Sequence, residues 1–454
     1  MRGINRLKLN GKTKAMVDKQ MEELDKIRDQ FNDLPYYNAP LEATPKADPS
    51  SLYIHNMVTA FYRRDQKVID TAGKVILDAG CGTGYKSLIL AAANPGAKIV
   101  GVDISDKSVS IARERLKFHG FTDTDFYAMP IEEVGTLDYW FDYINCDEVL
   151  YLFSDIKKTL SLLKSVLKHD GILRANLHSK LQRSHYFRAQ RIWKKLGLMD
   201  SAPQETEYNL VRETMKNIKP GVFLKELAWK TDKENSNEYL AMNHLFVGDK
   251  GFEIPDLFEF IRQSGLEFVG MVNGSQWDLL GLFKNWDELP IELMVKLSEL
   301  SMEEQLHIHE LFDSQQRLLD FWCGHPQEDN QMLRVEDWTE EQWHQARVHL
   351  HPQLRTEEFK QGAIASITQM SALPLHHYLS IDPKTTPAID SGVISILLPL
   401  IDAPCAFRDL VERSQKLCPV DPVTGEAIGP SQATEKVKDL LIPLYEMGYV
   451  LLES

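Results

Sequence analysis

Val75-Ile76-Leu77-Asp78-Ala79-Gly80-Cys81-Gly82-Thr83-Gly84 is the stretch whose reading decides the fold. A short apolar run ends at Asp78, three glycines follow at alternate positions, and Leu88-Ile89-Leu90 then lie in a helical stretch. That order reads as strand, tight loop, helix. The alternation continues downstream. Lys98 to Asp103 is a second strand, and Ser105 to His119 a helix with an N-cap residue in Ser105 and acidic Asp106 behind it. Asp125 to Ala128 and Phe141 to Cys146 are further strands, Asp155 to Lys168 a helix, and Ile172 to Leu177 a fifth strand. Helices and strands of these lengths imply βαβ units, hence a doubly wound α/β fold (Rossmann-like) with a parallel sheet covered on both faces.

The glycines let the chain turn sharply and bring its backbone against a ligand, where a Cβ would obstruct the approach or the required φ. The spacing is G-x-G-x-G, and Tyr85 stands where a dinucleotide-binding G-x-G-x-x-G needs its third glycine. Asp103 ends the second strand about twenty residues past the loop. At a doubly wound switch point a carboxylate there accepts hydrogen bonds from the ribose hydroxyls of an adenosine ligand; the alternative is a helix N-cap role beside Ser105. Two more segments reach the carboxyl edge of the sheet, where ligands bind in such folds. They are Ala128-Met129-Pro130-Ile131-Glu132 and Asn145-Cys146-Asp147-Glu148-Val149-Leu150-Tyr151.

This ordered set resembles the class I S-adenosylmethionine-dependent methyltransferases over roughly residues 70–180. The resemblance implies S-adenosylmethionine as cofactor and a set of contacts to it. Asp78, Gly80, Cys81, Gly82 and Gly84 belong to the loop, with Gly80, Cys81 and Gly82 on the methionine side. Asp103 holds the ribose and Ile104 flanks the adenine. Met129, Pro130 and Ile131 match the adenine-edge segment, which lacks the Asp many members have there. Asn145 to Glu148, with Cys146 among them, face the methyl group. Asp147 and Glu148 are the candidate catalytic residues, to accept a proton or steer an ammonium group; a helix-start role or contact with the cofactor amine is the alternative. Tyr36, Tyr37 and Tyr53 are candidates for a lid or for packing of the N-terminal arm, and His178 for the pocket wall or a structural hydrogen bond. Tyr239-Leu240-Ala241-Met242-Asn243-His244, Phe252 to Val272 and the tail from Ser391 resemble the regulatory region of bacterial methyltransferases that modify protein lysines.

The expected organisation is an arm and lid over 1–72, a cofactor domain over 73–285 with a helical insertion at about 180–250, a helical domain over 286–390, and a small winged-helix-like module over 391–454. Leu266 to Val272 is expected to return to the sheet edge as a late strand. Trp322-Cys323-Gly324-His325-Pro326 is expected to be a buried turn. Residues 13–31 read as a polar helix.

The 454 residues carry a net charge of −15, which disfavours nucleic acid as a partner, since phosphate tracking rests on clustered Lys and Arg. The five cysteines, Cys81, Cys146, Cys323, Cys405 and Cys418, are far apart and form no CxxC pair. That fits a reducing cytosol better than a disulfide framework. No apolar run approaches the ~18 residues of a membrane span, and the paired histidines at 307/309, 349/351 and 376/377 lack the spacing that sets two rings on one helical face, so no metal is expected. The sequence carries no signal for an oligomeric state. The expected function is methyl transfer from S-adenosylmethionine by in-line displacement to a protein or peptide nitrogen. The alternatives are a small-molecule N- or O-methyltransferase and a non-catalytic S-adenosylmethionine-binding sensor or scaffold.

Overall fold

The structure, a computed structural model, describes residues 25–36, 39–45, 49–327, 333–381, 385–421 and 423–454. The central sheet holds β1 (Val75–Ala79), β2 (Lys98–Asp103), β3 (Thr124–Ala128), β4 (Phe141–Cys146), β5 (Leu167–His178), β6 (Glu267–Met271) and β7 (Leu318–Gly324) in the order β3-β2-β1-β4-β5-β7-β6. The first five strands are parallel, and β7 runs antiparallel to both β5 and β6. Ile76, Leu77, Tyr143 and Ile144 are fully buried, as expected for central strands covered on both faces. The helices Tyr85–Ala93, Asp106–Phe118 and Ile156–Val166 provide that cover. The order reverses at β1 and β4, whose carboxyl ends lie side by side, with Asp78 paired to Asn145.

The late strand arrives where expected, as β6 at the sheet edge. β7 is a correction. The segment 318–324 was expected within a helical domain, with Trp322 and Cys323 in a turn, yet it fills the place between β5 and β6, and both residues are fully buried. Asp320 interrupts its apolar run, so it lacks a clear strand pattern. The Asp is tolerated because Arg174 of β5 grips it through both guanidinium arms, at 3.0 and 2.6 Å. The expected boundary at 285 therefore cuts through the sheet-forming part of the chain.

Between β5 and β6 the insertion folds as helices Ser184–Lys195, Glu205–Asn217 and Phe223–Ala228, followed by a π-helical turn at Leu240–His244. Trp193, Tyr208, Val211, Trp229 and Tyr239 form its own apolar cluster. Residues 25–33 are helical and are tied to this insertion: Gln30 bonds Leu245 O at 3.2 Å and accepts from Val247 N–H at 3.2 Å. The rest of the expected helix over 13–31 lies outside the described residues, as do residues 1–24.

The C-terminal unit has a second core around Trp343, Phe359, Phe407, Leu441 and Val450. Its three-stranded sheet is centred on β8 (Arg347–Leu350), flanked by Cys405–Ala406 and Val450–Glu453. The central strand thus comes from before residue 391, where the module was expected to begin; without it the two flanking strands would not pair with each other. Tyr53 packs in this second core with its ring 5.3 Å from that of His351, which serves packing and not a lid. Tyr62 Oη donates to Leu452 O at 2.8 Å and accepts from Leu452 N–H at 2.8 Å. No described helix is long and apolar enough to cross a membrane.

Candidate active site

The glycine loop is shaped by three residues with left-handed φ: 84° at Gly80, 51° at Gly82 and 77° at Gly84. The first two sit beneath close neighbours. A Cβ on Gly80 would come within 2.7 Å of Val149, and one on Gly82 within 2.4 Å of the Tyr36 carbonyl oxygen. That oxygen accepts from Thr83 N–H at 3.1 Å. Tyr36 therefore lies over the loop; Tyr37 is outside the described residues. Gly84 does something else: a Cβ there would meet Ala112 of the helix Asp106–Phe118 at 2.7 Å, so this glycine seats one helix against another.

A cavity opens above the loop at the carboxyl edge of β1, β2 and β4. Of the residues singled out in the sequence, Gly80, Cys81, Gly82, Asp103, Ile104, Ile131, Asp147 and Glu148 line it. Asp78, Gly84, Met129, Pro130, Asn145 and Cys146 do not. Asp78 stands behind the loop, taking Ser87 Oγ–H at 2.5 Å and Asn145 Nδ2–H at 2.9 Å. Burial pushes its carboxyl up to about 6. Asn145 in turn accepts from Arg174 at 3.0 Å, and Cys146 is wholly buried in the sheet core.

Asp103 points both oxygens at backbone donors, Gly82 N–H at 2.9 Å and Ser105 N–H at 2.9 Å. A carboxylate offers about four lone-pair sites, so Asp103 keeps acceptor capacity toward the cavity. The helix cap is supplied by Ser105, whose Oγ accepts from Ser108 N–H at 3.1 Å. The Ser108 hydroxyl lines the cavity, buried and without a hydrogen-bond partner. Glu132 also lines it, an acidic side chain in the segment that lacks the usual Asp.

Asp147 and Glu148 differ from a general base in the same way. Burial alone would raise the Asp147 carboxyl, but Arg174 and Lys86 hold it well below the usual range. Its Oδ2 sits 3.1 Å from Lys86 Nζ, and its Oδ1 takes Asn176 Nδ2–H at 2.5 Å. His55 is neutral. Burial and then Arg174 lower it to about 4. Since Arg174 can only donate to Nε2, at 3.0 Å, the proton resides on Nδ1, which donates to Ser51 O at 2.8 Å. Glu148 adopts φ 59°, a conformation non-glycine residues avoid and which concentrates at functional sites. Its N–H donates to Asn176 Oδ1 at 2.8 Å, and its carboxylate takes both arms of Arg317, at 2.7 and 3.0 Å. Burial opposes ionisation there, but Arg317 outweighs it and lowers the carboxyl.

Glu148, Phe31 and Tyr36 are shared with a second cavity of about 510 Å³ under the helical insertion. His178 lines that second space and does not line the first. Its ring stacks on Tyr151 with centroids 3.7 Å apart, Asp249 takes its Nδ1–H at 2.6 Å, and Arg317 donates to Nε2 at 3.2 Å. Arg317, Arg174, Asn176, Asp320 and His55 escaped the sequence reading, since none belongs to a local motif: Arg174 and Asn176 reach the site from β5, Asp320 from β7, Arg317 from just before β7, and His55 from just before the helix Met57–Asp65. Lys86, one residue past Tyr85, was legible as a cation at the start of the helix Tyr85–Ala93. Among the described residues, no three His, Cys, Asp or Glu side chains group closely enough to hold a metal ion.

A family profile described as a methyltransferase domain matches residues 70–239, the span from just before the glycine loop through the first part of the insertion. The chain carries a class I S-adenosylmethionine-dependent methyltransferase domain. A second profile, for protein-L-isoaspartate (D-aspartate) O-methyltransferase, matches residues 3–129. Among curated proteins, an uncharacterised protein of Synechococcus is 28% identical over 253 residues, covering 55% of this chain and 60% of that one. Malonyl-[acyl-carrier protein] O-methyltransferase of Acetivibrio thermocellus is 28% identical over 142 residues, 31% of this chain and 49% of its own. The chain thus spans about half to three fifths of the length of these relatives. The fold of PKMT2 from Rickettsia typhi matches with a TM-score of 0.56 at 14% identity, covering 88% of this chain and 75% of that one. A structure of that protein in complex with AdoHcy matches with the same TM-score and identity. The fold likeness therefore extends well past the methyltransferase domain, whose cofactor is S-adenosylmethionine.

Proposed function

We propose that this chain transfers a methyl group from S-adenosylmethionine, held in the first cavity, to an acceptor held in the second. The observation that carries this reading is the junction of the two cavities at Glu148, directly past the glycine loop and Asp103. The donor set suits the cofactor: glycine backbone for close approach, the Asp103 carboxylate for ribose hydroxyls, Ile104 and Ile131 for the faces of an adenine, and Ser108 with an unused hydroxyl. When bound, the cofactor supplies an electrophilic methyl on a sulfonium. The chain's part is to hold the acceptor in line with it and to exclude water, through Phe31 and Tyr36 above the loop. Such positioning supplies roughly 7–11 kcal/mol of effective-molarity advantage. Asp147 and Glu148 act in positioning, because both are held ionised by cations and are weak bases.

A protein or peptide nitrogen is the acceptor favoured by the size of the added domains. The cavity favours the alternative, a small molecule, because the insertion roofs a space within the range typical of small-ligand sites. Five unpaired cysteines support a reducing cytosol as the compartment. Asp103→Ala is expected to weaken S-adenosylmethionine binding by about ten- to a hundredfold, the worth of hydrogen bonds to a charged group. Unchanged affinity in a calorimetric titration would remove the ribose assignment. Incubation with labelled S-adenosylmethionine and cell lysate tests the acceptor: label in an organic extract supports a small molecule, and label in a polypeptide band supports the protein.

A further inference from the structure

The second cavity has a charge opposite to that of the molecule. The chain carries −15 overall, yet among the described residues the charged lining of this space is Arg183, Lys230, Lys233 and Arg317 against Glu148 alone. Further carboxylates stand behind the wall: Asp249, 2.8 Å from Arg183, Glu238, whose charge reaches Tyr36, and Asp232, whose charge reaches Tyr239. The cationic excess is a property of the lining itself, four cations to one carboxylate. Arg317 is matched by Glu148 and Arg183 by Asp249, so the excess belongs to Lys230 and Lys233. Both are exposed at the rim, and neither is ion-paired among the described residues. Inside, the Nε donor of Arg183 is buried and lacks an acceptor. The rest of the lining is largely aromatic, with Tyr151, Tyr186, Tyr239 and Phe246.

We propose that the second cavity admits a small organic anion with an aromatic or apolar body, drawn in by Lys230 and Lys233. The inference rests on the reading of the first cavity as the cofactor site and names the acceptor class for the second. Charge and chemistry agree on it. An ammonium-bearing acceptor would enter a like-charged space, at a cost that grows as water is excluded. The two carboxylates nearest the junction are poor bases, and a nucleophile that arrives already ionised needs none.

The test uses the full chain saturated with S-adenosylhomocysteine and two probes that share one body, 3-phenylpropionate and 3-phenylpropylamine. Calorimetric titration is expected to show the carboxylate binding at least tenfold more tightly than the amine. The double variant Lys230→Glu, Lys233→Glu is expected to lose at least tenfold in carboxylate affinity, with S-adenosylhomocysteine affinity and thermal midpoint unchanged. Amine binding equal to or tighter than carboxylate overturns the inference alone, as does absence of binding by both probes or indifference to the charge reversal. Failure of S-adenosylhomocysteine to bind overturns the cofactor reading and the inference with it.

Discussion

Asp147 shows how much a residue's neighbours decide its chemistry. As a letter after a strand it is a candidate base. In place, it faces Lys86, Arg174 and Asn176, with only 3% of its side chain and of Arg174's exposed. Removing one partner of a buried charge pair costs about 3–5 kcal/mol, because the remaining charge is left uncompensated. Asp147→Asn is accordingly expected to lower thermal stability by an amount of that order, read by calorimetry, and to leave the shape of the pH–rate profile unchanged. Loss of turnover with full stability and an altered pH profile would instead make Asp147 the base. Glu148 is the more informative neighbour at the same scale. A non-glycine residue at φ 59° is held there by Asn176 on one side and Arg317 on the other, and the strain sets its carboxylate at the mouth between two cavities. Nothing local in Cys146-Asp147-Glu148-Val149 announces that conformation.

The glycine loop is the element whose parts separate most clearly. Gly80 and Gly82 give clearance to Val149 and to the Tyr36 carbonyl, while Gly84 gives clearance to a helix. Gly82→Ala adds a Cβ at 2.4 Å from that carbonyl and a side chain at φ 51°. The backbone cost alone is about 1–2 kcal/mol, and Tyr36 must move. The expected result is a lower melting temperature together with weaker S-adenosylmethionine binding, since Tyr36 covers the cavity. A variant that melts early yet binds normally would show that Tyr36 is no lid. β7 makes the opposite point about elements. Its pairing with β5 is accompanied by an Asp320–Arg174 contact between residues 146 apart in sequence, and no window of the sequence short enough to show periodicity contains both.

At the scale of the molecule, the two cores meet along the helix Met57–Asp65. His351 lies at that seam, wholly buried, with Thr59 Oγ1 3.0 Å from Nε2 and Gln353 N–H donating to Nδ1 at 3.2 Å. Burial depresses its pKa to about 3, against about 6.5 in an unfolded chain. Below pH 6.5 the unfolded chain takes up a proton that the folded ring refuses, so this residue's contribution to stability is complete above that pH and is lost as the pH falls toward 3. The slope is about 1.4 kcal/mol per pH unit for one proton. His351→Gln is expected to be less stable than the parent at pH 7.5, with the gap narrowing by about that slope between pH 6 and 4.5 in denaturant titrations. A gap independent of pH would mean that the ring titrates normally.

The sequence by itself determined the cofactor half of this protein. The run Val75 to Gly84, the carboxylate of Asp103 and the order of strands to residue 177 follow from contiguous patterns: apolar period, glycine at tight turns, polar residues at strand ends. These are local requirements, and local sequence expresses them. Only the tertiary structure decided the rest. It brought Arg317 from beyond residue 286 onto Glu148, placed β7 inside the sheet, set β8 at the centre of the C-terminal unit, and turned Asp78, Asn145 and Cys146 away from the cavity they had been expected to line. Each of those outcomes depends on charge pairing, close packing or sheet register between distant segments, where the energy of a contact appears only once both partners have been folded into reach.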